Sequence, residues 1–132
     1  MTETVYHLAP ATRWERACDG GGAYFPPTYE ADGFVHATAV PELLLEVANH
    51  FYRAMPDAFV CLEMTVSALE ANGTPVVFEA PAPVGDRAPN FQTGEVTQFP
   101  HLYGGVPPAV VHAVHPVTRD ADGTFRAIPG VV

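Results

Sequence analysis

Apolar and polar residues alternate over "TVYHLA" (4 to 9). The pattern predicts a strand with Val5, His7 and Ala9 on one face and Tyr6 and Leu8 on the other. "GFVHAT" (33 to 38) repeats it, with Phe34, His36 and Thr38 opposite Val35 and Ala37. The strongest strand signal is "AFVCLEMTV" (58 to 66), where Val60, Leu62, Met64 and Val66 face one way. Further strands are predicted at "PVVFEA" (75 to 80), "PAVVHAVHPV" (108 to 117) and "TFRAI" (124 to 128). Helical spacing replaces the alternation in two places. Leu44, Val47, Ala48, Phe51 and Met55 recur on one stripe between Pro41 and Pro56. Thr12 to Glu15 reads as a T-x-x-E capping box opening a shorter helix that "GGG" (20 to 22) ends. "SALE" (67 to 70) has the same box form and predicts a single helical turn. Strand, helix, strand, helix and then mainly strands predicts an α+β fold, its helices segregated toward the N-terminal half.

Two segments escape both periods. "AYFPPTYEAD" (23 to 32) is an aromatic, proline-rich loop, a form that often borders ligand sites. The chain from 81 to 99 turns polar and irregular, and a loop of that length in a small domain is usually functional or mobile.

Length and charge narrow the picture. The 132 residues, 48% hydrophobic, are expected to form one domain. Fifteen acids against six bases, all arginines, give a formal charge of −9 with no basic stripe. That balance argues against phosphate-neutralising contact with nucleic acid and against an anionic membrane surface. "MTETVYHLAP" has neither a basic leader nor a long apolar core, and no run approaches a membrane span, so the cytoplasm is the expected compartment. Cys18 and Cys61 are expected to be reduced packing thiols.

Chemistry is concentrated in histidines. His112 and His115 lie three apart in a predicted strand, facing opposite sides, and His50 sits beside Phe51 on the long helix; all three read as structural. His7 and His36 lie mid-strand among apolar residues, and Thr38 shares the His36 face. A buried imidazole needs partners for both nitrogens and titrates near neutrality, which suits acid–base work or anion contact. Glu79 ends an apolar strand as a carboxylate able to orient an imidazole. His101 lies between Pro100 and a Tyr-Gly-Gly turn, where Gly104 would let a ligand approach the main chain. Tyr24 and Tyr103 could stack on a ring. No H-E-x-x-H, C-x-x-C, nucleophile elbow or phosphate loop is present, although three histidines and a glutamate converging in space could hold a transition metal.

Tyr6-His7, Trp14, "GFVHAT", Glu79 and "FPHLYG" (99 to 104) together resemble the bacterial and plant family called domain of unknown function 952. The resemblance covers about residues 5 to 118 and leaves 119 to 132 as a C-terminal extension. That family is grouped by remote similarity with the ADP-ribosyltransferase-like fold, so the resemblance implies a split, mostly antiparallel sheet forming a cleft, with two helices in the N-terminal half. It further implies His7 as the first site residue, His36 with Thr38 as the second, and Glu79 or His101 as the third. The ligand implied is NAD or another nucleotide-like ribose phosphate, used by a transferase with Arg87 as the available phosphate contact. The alternatives are a non-catalytic nucleotide-, anion- or protein-binding module and a metal-dependent enzyme.

Overall fold

The computed structural model describes residues 3–89 and 98–132. Its fold is α+β and built from antiparallel sheets. Strands β1 (Thr4–Pro10), β3 (Phe59–Thr65) and β6 (Ala113–Pro116) form one three-stranded sheet in the order β1-β3-β6. A second three-stranded sheet runs β2-β5-β4, from β2 (Val35–His36), β5 (Phe99–Leu102) and β4 (Val76–Glu79). A two-stranded ribbon, β7 (Thr118–Arg119) with β8 (Phe125–Ala127), closes the chain.

Alternation along β1 and β3 divides the interior into two cores, one on each face of the first sheet. Val5, Ala9, Leu62 and Met64 pack on one side with Trp14, Tyr24, Val35 and Leu102. Leu8, Phe59 and Cys61 pack on the other with Leu44, Ala48, Phe125 and Ile128. Each large side chain so enclosed contributes roughly 1.5–3 kcal/mol by leaving water. The C-terminal residues are therefore part of the second core, and Asn49 ties them down. Its amide donates to the Phe125 carbonyl at 3.1 Å and its oxygen accepts from the Phe125 N–H at 2.7 Å.

Among the described residues four short helices connect the strands: α1 (Ala11–Gly20), α2 (Tyr29–Asp32), α3 (Leu44–Phe51) and α4 (Val66–Ala71). Their limits correct several expectations. Helix α1 begins at Ala11 with Pro10 at its N-cap and no side-chain cap, so Thr12 lies inside the helix and its box is unused. The glycine stop is borne out, because Gly21 is left-handed and donates to the Ala17 carbonyl. Helix α3 follows a 3-10 turn at Pro41–Leu43 and ends at Phe51, well before Pro56. Helix α4 is capped by Thr65, whose hydroxyl accepts from the Ala68 N–H, and not by Ser67.

The largest correction concerns residues 99–102. The sequence predicts no strand there, with the irregular segment ending at 99 and His101 set between Pro100 and a turn, yet Phe99–Leu102 is the central strand of the second sheet, buried along its whole length. Of the long irregular segment, 90–97 lies outside the described residues.

Candidate functional site

A backbone bridge joins β1 to the chain just after β2. Tyr6 of β1 pairs with Glu63 on one side, and on the other it exchanges two backbone hydrogen bonds of 2.8 Å with Thr38. Beside that bridge a narrow cavity of about 30 Å³ opens between the second face of β1 and the end of α3. Tyr6 and Leu8 form its floor, Phe51 and Tyr52 one wall, and His36, Thr38, Phe99 and His101 another.

Antiparallel pairing places His36 directly opposite His101. The ring centroids are 5.6 Å apart and nearly perpendicular, with Phe34 stacked at 4.1 Å on His101 and tilted at 4.7 Å against His36. Each imidazole is held by one carboxylate. His36 donates from Nε2 to Asp32 Oδ2 at 3.0 Å, and His101 from Nδ1 to Glu79 Oε1 at 2.7 Å. The second nitrogen of each ring, Nδ1 of His36 and Nε2 of His101, makes no hydrogen bond to the described residues. Burial lowers both imidazoles below their ordinary pKa, against the upward pull of Asp32 and Glu79. Both rings are thus shifted toward the neutral form, in which the second nitrogen carries a lone pair.

Asp32 is the site residue that sequence reasoning missed. Helix α2 is a single turn, and Gly33 (φ 82°) reverses the chain in the left-handed region, bringing Asp32 back under the His36 ring four residues on. Its carboxylate also accepts the Gly85 N–H at 3.0 Å. The signal was available in "DGFVH", an Asp-Gly turn before a strand, but its usual reading is a turn alone.

His7 lies on the opposite face of β1 from Tyr6 and Leu8 and does not line the cavity. Its Nδ1–H donates to the His36 carbonyl at 2.5 Å and its Nε2 accepts the Tyr24 hydroxyl at 3.2 Å. Burial pushes the His7 pKa down to about 4. Tyr24 is fully enclosed beside Trp14, its hydroxyl on His7, which corrects the expectation that its ring stacks on a ligand. Tyr103 likewise lies outside the cavity lining, its hydroxyl 2.5 Å from Glu79 Oε1. That contact, with the His101 bond second, keeps the Glu79 carboxyl below its ordinary value. Glu79 therefore stands behind His101 and not in its place.

Gly104 and Gly105 serve packing. A Cβ on Gly105 would lie 2.7 Å from both Ala23 Cβ and Phe25 Cζ, and Gly104 (φ 148°) lies against Thr74. Neither lines the cavity. Arg87 lines an adjoining recess that shares Leu8, Phe51, Tyr52 and Val84 with it.

His112 and His115 overturn the parity argument applied to them. Strand β6 begins at Ala113, so His112 precedes the ladder and its side chain is free to turn. The two Nε2 atoms reach the two oxygens of one carboxylate, Glu63, at 2.9 and 2.7 Å. Cys18 is exposed, and Cys61 is buried, its thiol pushed up to about 12 by desolvation. Among the described residues, no group of three His, Cys, Asp or Glu is arranged to hold a metal ion, and no helix is long and apolar enough to cross a membrane.

A family model described as "protein of unknown function (DUF952)" matches residues 8–114. Two solved structures share the fold: protein CC0527 from Caulobacter crescentus and a double mutant of it. Each has a TM-score of 0.69 at 24% identity over 93% of both chains. No curated protein matches the chain. The match over most of its length places this chain in the DUF952 family.

Proposed function

We propose that this member of the DUF952 family is an enzyme that moves protons on a small ligand held between His36 and His101. One observation carries the reading: two neighbouring imidazoles, each anchored through one nitrogen by a carboxylate, both line a single apolar cavity, and their other nitrogens make no hydrogen bond to the described residues. A carboxylate-backed neutral imidazole is a competent general base, because the carboxylate fixes the tautomer and stabilises the imidazolium that forms. One such base can take a proton at one atom of the ligand and, as the imidazolium so formed, return it at another, a contribution of about 10²–10⁴-fold, while the other imidazole accepts a hydrogen bond from the ligand. His7, which bonds the His36 carbonyl, is in this reading a positioning residue, and Glu79 acts through His101.

The experiment is turnover, followed by proton NMR in deuterated buffer, of small hydroxyl and carbonyl compounds first selected by thermal shift. Deuterium incorporation or conversion that disappears in both His36→Gln and His101→Gln, with folded spectra retained, supports the reading. Turnover that survives the double substitution sinks it.

A second reading follows from the family's resemblance to ADP-ribosyltransferases. Arg87 in the adjoining recess favours it: a nucleotide could keep its phosphates at Arg87 and present its ribose to the imidazoles. NAD and ADP-ribose would then raise the melting temperature of the wild type and not of Arg87→Ala.

A further inference from the structure

Two spaces of unequal size adjoin at Leu8, Phe51, Tyr52 and Val84, which line both. The slot beside His36 and His101 measures about 30 Å³, and the recess next to it about 300 Å³. A water molecule needs roughly 10–15 Å³, and the site of a small organic molecule roughly 300 Å³ or more. The slot therefore admits water or one projecting group, and only the recess can house the body of a ligand. Pro10, Pro26, Pro27, Met55 and Phe59 make the recess walls mainly apolar, with Asp86 and Arg87 exposed beside them.

The two imidazoles also set the kind of group the slot accepts. Asp32 and Glu79 each accept an N–H from one ring nitrogen, so in the neutral form the other nitrogen of each ring can only accept. A partner shared by both rings must bring two hydrogens. A carbonyl or carboxylate brings none and an alcohol one, whereas water brings two on a single atom. Bonds of about 2.8 Å from one oxygen to two nitrogens span roughly 4.5 Å, a separation open to rings whose centroids are 5.6 Å apart. Thr38, itself buried, lines the same slot as a third polar residue, and enclosed waters typically hold about three hydrogen bonds. Among the described residues neither space is lined by a serine or cysteine, so no such nucleophile competes with the water.

We infer that the slot holds the attacking water of a hydrolysis, and that the recess holds the substrate, an ester with an apolar body. The inference rests on the proton-transfer reading above and adds which proton moves and where the substrate lies. One imidazole takes a proton from the water as the water oxygen bonds to the ester carbon at the boundary of the two spaces. The carbon–oxygen bond to the alcohol then breaks, its electron pair leaves with the alcohol oxygen, and the imidazolium returns the proton to that oxygen. One water is consumed, an acid and an alcohol are formed, and no oxidant or reductant is needed. The second imidazole accepts the water's other hydrogen and so orients the attacking lone pair.

A high-resolution crystal structure tests the water directly: one ordered water bonded to Nδ1 of His36 and Nε2 of His101 is expected, and a dry slot or one filled by a side chain overturns the inference. The probes for turnover are 4-nitrophenyl acetate and 4-nitrophenyl butyrate. Cleavage is expected about a hundredfold or more above that of the folded His36→Gln/His101→Gln double variant, without a burst of nitrophenol. Ala54 lines the recess and not the slot, so Ala54→Trp should raise KM about tenfold and leave the bound water in place. A burst, an unchanged KM in Ala54→Trp, or no cleavage of either ester overturns the inference. The two proposals fail differently. Deuterium incorporation that needs both histidines, with no ester cleavage, removes hydrolysis and leaves proton transfer standing, whereas cleavage undiminished in the double variant removes both.

Discussion

His7 holds the main chain of His36: its Nδ1–H donates to the His36 carbonyl at 2.5 Å across the gap between the two sheets. The other ring nitrogen accepts from Tyr24, so one neutral imidazole links β1, the aromatic loop and β2 inside the first core.

The first prediction concerns that link. His7→Ala leaves the His36 carbonyl and the Tyr24 hydroxyl enclosed without a partner, at a cost of about 2–5 kcal/mol in urea denaturation. The pH dependence has a definite sign. Folded His7 titrates at about 4, against 6.5 for an unperturbed histidine, so between those values the unfolded chain binds the additional proton. Its contribution is complete above pH 6.5, falls as pH drops toward 4, and amounts to something on the order of 3 kcal/mol. A wild-type stability that stays level over that interval would show that His7 is solvated.

Asp32 supports the second prediction. Burial lowers the His36 pKa and Asp32 opposes it, so Asp32→Asn should move the His36 midpoint further down in a histidine NMR titration. The same substitution weakens the acceptor for the Gly85 N–H, and the Gly85 amide should exchange faster. An unchanged His36 midpoint would mean that the pair does not form in solution.

Parity explains how much of this was readable in the sequence. Alternation in "TVYHLA" sets His7 opposite Tyr6 and Leu8, and those two residues floor the cavity, so the placement of His7 away from it was already implicit in the pattern. "GFVHAT" and Glu79 were also readable, because strands place side chains by counting. What counting does not reach is pairing across the chain. Nothing in "FPHLYG" announces a central strand, since its Pro100 argues against one, and only the partners β2 and β4 bring His101 opposite His36 and next to Glu79. Asp32 and His112 lie where the period breaks, and there the direction of a side chain is set by a glycine turn or a strand end. The meeting of His112 and His115 on Glu63 is of that kind.

Glu79 yields the third prediction. Its Oε1 accepts from both His101 and the Tyr103 hydroxyl, and the phenol is raised chiefly by that bond. Glu79→Gln should therefore lower the Tyr103 midpoint in an ultraviolet titration and lower the His101 midpoint by NMR. The carboxylate lies at the surface, so melting should barely change. Tyr103 titrating unchanged would break the chain from Tyr103 through Glu79 to His101.

The fourth prediction concerns the C-terminal residues, expected from the sequence to be an extension beyond the family's core. The matched region ends at 114, yet Phe125 is 2% exposed and Ile128 is fully buried. The Phe125 ring packs edge-on at 5.4 Å against Phe59, and the Arg119 guanidinium covers it at 4.2 Å while donating to the carbonyls of Arg53, Asp57 and Gly123. Phe125→Ala opens a cavity in the second core and removes the surface on which Arg119 rests. Large-to-small changes of this type cost about 3–5 kcal/mol, and the loss should appear as a lower urea midpoint with an unchanged slope. Helix α3 leans on β8, and its last turn carries Phe51 and leads into Tyr52, so the same variant should also loosen the wall of the cavity. A loss under about 1 kcal/mol would mean that the second core, and with it the wall facing His36, is held without residues 125–132.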